Sequence, residues 1–167
     1  MTNKEALALE TPCTLEEVLA ILKGFKKEKS PGPDGWSVEL YLHFFDIMGQ
    51  ELLDVVEDAR TRGVINPQLN STFLVLIPKS NLPRHFKDFR PISLCNLCYK
   101  IISKIITNRL RPILSRTLSE EHLGFLKGRQ ILDVVGVTQE CVHNLKSKKQ
   151  QAILLKLDLR QAFDRVN

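Results

Sequence analysis

Thr72-Phe-Leu-Val-Leu-Ile-Pro-Lys-Ser-Asn-Leu-Pro-Arg-His-Phe-Lys-Asp-Phe-Arg-Pro-Ile-Ser-Leu94 is where the chain changes period. Residues 72–78 and 89–94 are extended runs rich in β-branched, aromatic and other apolar side chains. The polar loop 79–88 separates them, so the simplest geometry is a two-stranded hairpin. Pro91 withholds a ladder donor and marks its strand as an edge. The hairpin sets Lys79 and Arg90 on opposite strands beside the loop, where two cations can reach one ligand. A triphosphate suits that pair, because Lys is a mobile point charge and Arg a two-pronged donor to phosphate oxygens. On both sides of this stretch apolar residues recur at helical spacing, which makes the fold class α+β, mostly helical with one β-hairpin.

Upstream, Thr14-Leu-Glu-Glu17 reads as a capping box, and Val18, Ile21, Leu22 and Phe25 extend it into an amphipathic helix over residues 14–27. Ser30-Pro-Gly-Pro-Asp-Gly-Trp36 then packs two prolines and two glycines into one loop. It is a turn, and beside Lys26, Lys27 and Lys29 its backbone amides also suit a phosphate backbone. Residues 37–45 and 49–62 read as two further helices, the second turning Leu52, Leu53, Val55, Val56 and Ala59 inward, with Gly63 past its end. The acids of this region, Glu39, Asp46, Glu51, Asp54, Glu57 and Asp58, fit solvated helix faces better than a metal site.

Downstream, residues 99–114 form the most periodic helix. Ile101, Ile102, Ile105, Ile106 and Leu110 make its apolar stripe, while Lys100, Lys104, Asn108 and Arg111 recur about a turn apart on the other side. That basic stripe suits a strand of nucleic acid, or a solvated helix face. Pro112 predicts a kink or break near the helix end. Ser119-Glu-Glu-His122 carries a further cap, and Gly124-Phe-Leu-Lys-Gly-Arg129 forms a second basic turn. Residues 131–145 continue as a helix with Val134, Val135, Thr138 and Val142 inward, closed by the positive charge of Lys146 to Lys149. Ile153, Leu154, Leu155 and Leu157 then read as a strand that delivers Asp158 at its carboxyl end. There the carboxylate either caps the following helix or points into a crevice where ligands gather.

A chain of 167 residues is one domain, or one domain plus a fragment, able to bury roughly 70% of its unfolded surface. A hydrophobic fraction of 43% and a charged fraction of 26% describe a soluble globular protein, and no run approaches a membrane span. The amino terminus carries no secretory pattern, so a reducing, intracellular location is expected. Four cysteines, of which only Cys95 and Cys98 share a C-x-x-C spacing, fit ordinary half-buried thiols better than zinc or disulfides. The net charge of +5 is unevenly spread. Between Lys79 and Arg116 nine basic residues face one acid, Asp88. That one-sided block favours a polyanionic partner.

Six blocks in order carry a family resemblance. They are Ser30-Pro-Gly-Pro-Asp-Gly35, Leu76-Ile-Pro-Lys79, Phe89-Arg-Pro-Ile-Ser-Leu94, Tyr99-Lys-Ile-Ile-Ser-Lys-Ile-Ile-Thr-Asn-Arg-Leu110, the turn at 124–129, and Lys156-Leu-Asp-Leu159 with Ala162-Phe-Asp164. Together they resemble the reverse transcriptase of LINE-type, non-LTR retrotransposons, of the sort abundant in plant genomes. The match covers the chain from about Lys23 onward. It implies that residues 1–150 are the fingers of a right-hand polymerase and that 151–167 are the first palm strand and the start of a palm helix. The implied activity is that of an RNA-directed DNA polymerase, a nucleotidyltransferase using two Mg²⁺ ions on an RNA template and a DNA primer. In that scheme Asp158 is a catalytic, metal-binding carboxylate, and the backbone carbonyl of Leu159 lies near the second metal. Lys79, Arg90 and Phe163 bind the incoming dNTP, and the Phe163 ring excludes a ribose 2′-hydroxyl, favouring a DNA product. Lys100, Lys104, Arg111, Gly128 and Arg129 face the nucleic acid.

The family draws its remaining metal-binding carboxylates from a Tyr-x-Asp-Asp hairpin, and these 167 residues contain no Asp-Asp. The expectation is therefore a truncated polymerase, without the rest of the palm and the thumb, that binds template and dNTP and is inactive alone. The alternative is a non-enzymatic, basic helical protein that binds nucleic acid or another partner.

Overall fold

A computed structural model describes residues 3–119, 128, 130–153 and 155. The chain divides into two compact units, Met1–Thr117 and Leu118–Asn167. In the first, α1 (Asn3–Glu10), α2 (Leu15–Gly24), α3 (Val38–His43) and α4 (Phe45–Arg62) precede an antiparallel hairpin of β1 (Thr72–Pro78) and β2 (Phe89–Cys95), and α5 (Leu97–Thr117) follows it. In the second, α6 (Ile131–Ser147) is the helix among the described residues.

The core forms where α2, α4 and α5 meet. Val18, Leu22 and Ile101 are the largest fully buried side chains, and Ile21, Leu52, Val56, Ile102 and Ile105 close around them. Each such burial contributes about 1.5–3 kcal/mol. Thr14 caps α2 by accepting a hydrogen bond from the Glu17 amide at 3.2 Å. The Glu17 carboxylate goes to Arg109 instead. The helix stops at Gly24, three residues before the expected end, because Phe25 turns to an extended conformation. In contrast, α4 begins at Phe45, four residues early. The Phe44 carbonyl accepts from the Ile47 and Met48 amides at 3.0 Å, so one helix passes almost directly into the next. Its far end is Gly63 at φ 66°, a left-handed position that suits glycine, with its N–H bonded to the Ala59 carbonyl.

The hairpin keeps the expected strands to within one residue, with Thr72 opposite Cys95 and Pro78 opposite Phe89. All seven residues of β1 are exposed. The long helix α5 corrects two expectations. It runs through Pro112 to Thr117, since the lost amide bond falls near an exposed end where it is tolerated. Ile106, assigned to the apolar stripe, is 52% exposed, while Leu97 and Cys98 at the opposite margin are buried. The buried seam is thus rotated toward the helix start. α1 was not anticipated; it lies against α5, with Glu5 paired to Arg116 at 3.1 Å.

In the second unit, Asp133 accepts from the Gln130 amide at 3.3 Å to cap α6. Val134 and Val135, expected inward, are exposed, while Thr138 and Val142 are half-buried. The apolar face is real but, among the described residues of that unit, uncovered. The strand expected over 153–157 lies largely outside the described residues, as does the helix start after it. No helix among the described residues is long and apolar enough to cross a membrane.

Candidate nucleic-acid interface

The hairpin brings the two expected phosphate-binding cations to one end of the sheet. Ile77 pairs with Arg90 in register, and the Lys79 amide extends the ladder by donating to the Asp88 carbonyl at 2.7 Å. Alternation therefore puts Ile77, Lys79 and Arg90 on the same face. Arg90 is exposed. The Lys79 ammonium donates to the Lys87 carbonyl at 2.7 Å, so one of its three donors rests on the loop backbone. Asp88 shapes that loop. Its carboxylate accepts from the Arg84 and His85 amides at 2.9 and 3.0 Å, which holds its pKa below the usual carboxylate range. The block's single acid is thus committed to the backbone.

Asn96, between β2 and α5, is 2% exposed and ties three segments together. Its Oδ1 accepts from the Asp34 amide at 3.2 Å, and its Nδ2 donates to the Gln68 carbonyl at 3.2 Å and to Ser71 Oγ at 3.3 Å. Gly32 presses against the same junction. A Cβ there would sit 2.6 Å from the Cys95 carbonyl carbon and closer still to Asn96, so only glycine fits. Within the loop, the Gly35 amide donates to the Gly32 carbonyl at 3.0 Å, and Asp34 Oδ1 accepts from the Trp36 amide at 3.1 Å. The Ser30–Trp36 loop is consequently fixed against the start of α5. Sequence reasoning missed Asn96, although a lone amide in Leu94-Cys95-Asn96-Leu97-Cys98 was a legible sign of a buried polar anchor.

On α5, Lys100, Lys104 and Arg111 are half-buried and make no ion pair with a described residue. The basic block is less one-sided than its composition. Arg109 is a structural clasp: its guanidinium takes Glu17 at 2.7 Å, the Leu9, Thr11 and Pro12 carbonyls, and Cys13 Sγ. Arg116 is paired with Glu5. The cysteines sit in separate settings, Cys98 Sγ 3.3 Å from the Tyr41 hydroxyl and Cys95 Sγ 3.5 Å from Thr72 Oγ1. Burial pushes the Cys13 thiol up to about 11. Among the described residues no three His, Cys, Asp or Glu side chains cluster as metal ligands. Gly128 has φ 85°. Arg129, Asp158, Leu159 and Phe163 lie outside the described residues.

A family model for reverse transcriptase (RNA-dependent DNA polymerase) matches residues 77–167, more than half of the chain and the part that begins within the hairpin. The chain belongs to the reverse transcriptase family. Among its relatives are a protein of Xenopus laevis and two of Drosophila melanogaster. The transposon TX1 uncharacterized 149 kDa protein of Xenopus is 33% identical over 95% of the chain. The probable RNA-directed DNA polymerase from transposon BS is 27% identical over 93% of it, and the RNA-directed DNA polymerase from mobile element jockey 28% over 92%. The chain spans only 12% of the first relative's length and 17% of each of the others.

Proposed function

We propose that this chain is the fingers portion, residues 1–150, and the start of the palm, residues 151–167, of an RNA-directed DNA polymerase of a non-LTR retrotransposon. It binds template RNA, primer DNA and the incoming dNTP, and does not polymerise by itself. The observation that carries this reading is the shared face of Lys79 and Arg90 at the loop end of an antiparallel hairpin, in a chain whose α5 also presents three cations that pair with no described acid. In this proposal Lys79 and Arg90 hold the triphosphate and Phe163 stands against the ribose. Lys100, Lys104, Arg111, Gly128 and Arg129 track the strand. Asp158, with the Leu159 carbonyl, belongs to the Mg²⁺ site.

That site needs more carboxylates than these residues carry. Mg²⁺ is held by one or two carboxylates together with water and phosphate, and a two-ion centre shares them. Asp158 is one such group, and no Asp-Asp accompanies it here. No step of phosphoryl transfer is therefore assigned to this chain alone. The binding half of the proposal is tested by titrating a single-stranded RNA against salt. Contact with about five phosphates lowers affinity by about two orders of magnitude between 50 and 200 mM salt. A flat response contradicts it. The inactive half fails if the purified chain extends a primer on poly(A) with Mg²⁺ and Asp158→Ala abolishes the extension.

A further inference from the structure

Beside the fixed Ser30–Trp36 loop, a cavity of about 270 Å³ opens between the end of α2, the start of α3 and the first turn of α5. Its floor is apolar, with Phe25, Leu97 and Trp36, and its rim carries Lys26, Lys29 and Lys100. No described acid lines it. Glu28, beside Lys29 in the chain, is the nearest acid in sequence and is not part of the lining; Asp34 accepts from the Trp36 amide at 3.1 Å, and Glu39 from the Glu28 amide. None of the three lysines makes an ion pair with a described residue. Trp36 is 43% exposed and leans on Tyr41, ring centroids 5.5 Å apart and tilted by 54°. Tyr41 is itself buried, its hydroxyl against Cys98 Sγ, so the indole has a rigid support. The walls are set in advance by Gly32 and Asn96, so a ligand meets a formed site.

We infer that this cavity takes one unpaired nucleotide of a single-stranded RNA, its base against Trp36 and its phosphate among Lys26, Lys29 and Lys100. The inference rests on the nucleic-acid reading above and adds a second subsite to it, away from the hairpin. An aromatic plate ringed by cations and free of carboxylates matches the two parts of a nucleotide, a π-face and an anion. A strand fits better than a free nucleotide because the cation row continues from Lys100 to Lys104, one turn along α5, giving the neighbouring phosphate a partner.

Trp36 is the protein's one tryptophan, so its emission reports on the site directly. The test uses the 167-residue chain and an adenine ribonucleotide oligomer of about 12 residues, within the site size of such strands. The expected result is quenching of Trp36 emission on binding. An abasic oligomer of equal length should bind, by anisotropy, without quenching. Trp36→Ala should weaken binding of the adenine oligomer by at least about fivefold, and Trp36→Phe should restore most of it, with thermal unfolding of both variants checked against the parent. If the adenine oligomer binds with salt-dependent affinity and the emission does not change, the subsite is wrong and the nucleic-acid reading stands. If no RNA binds, both fall. Quenching by ATP at the concentrations at which the oligomer acts would also overturn the assignment to a strand.

Discussion

The helical body and the hairpin of the first unit solve the same problem in opposite ways. In the body, α2, α4 and α5 bury Val18, Leu22 and Ile101 completely and satisfy the short linker between α1 and α2 with the Arg109 clasp. In the hairpin, the strands pair in register from Thr72–Cys95 to Pro78–Phe89, but Phe73, Leu74, Val75, Leu76 and Ile77 all remain exposed. Backbone pairing therefore fixes the hairpin's register, whereas side-chain packing fixes the body. Function is available where packing has left side chains free. The body holds the start of α5 and the glycine loop rigid, and the hairpin presents two cations on a face that packing has not consumed.

The largest expected effect separates the two regions by the same truncation. Leu22→Ala in the body should lower unfolding free energy by about 2–5 kcal/mol, read as a shift of the urea midpoint. Leu74→Ala, at 65% exposure in β1, should change it by less than about 0.5 kcal/mol. Similar losses at both sites would mean that the hairpin is packed after all. A smaller effect sharpens the account of the body's edge. Glu57 accepts from the Arg60 guanidinium at 2.9 Å and, with a smaller effect, from the Cys13 amide at 2.7 Å, which together hold its pKa at about 2, against an ordinary value of 4.5. Since the folded value is depressed, the stabilisation is present above about pH 4.5 and is lost as pH falls toward 2. Glu57→Gln should be less stable than the parent at pH 6 and close to it near pH 2, by urea midpoints at both. An equal deficit at both values would show that the carboxylate's charge is irrelevant.

The hairpin was legible in the sequence almost to the residue, because β-branched runs on either side of a polar loop leave little choice. The helices were legible as elements and less so at their ends. Nothing local announces that Phe44 hands α3 on to α4, and Pro112 argues for an end where the helix in fact continues, its lost bond falling near an exposed terminus. The candidate phosphate-binding pair at Lys79 and Arg90 was readable because register follows from hairpin length. The fate of the other cations was not. Arg109 and Arg111 are two residues apart in one basic stretch, yet the first is consumed by Glu17 and four further partners, and the second makes no ion pair with a described residue. Only the position of α1 and its linker decides between them. The Asn96 anchor and the cavity beside Trp36 depend on three distant segments meeting, which no spacing reveals.

In this proposal nucleic-acid binding belongs to the α5 cations that pair with no described acid, and not to the helix's basic composition. The most direct measurement is the slope of log affinity for single-stranded RNA against log salt, for the parent chain and for Lys100→Gln, Lys104→Gln, Arg111→Gln combined. Loss of three phosphate contacts should reduce the slope by about two while the urea midpoint stays near that of the parent. An unchanged slope in a folded triple variant would contradict the claim.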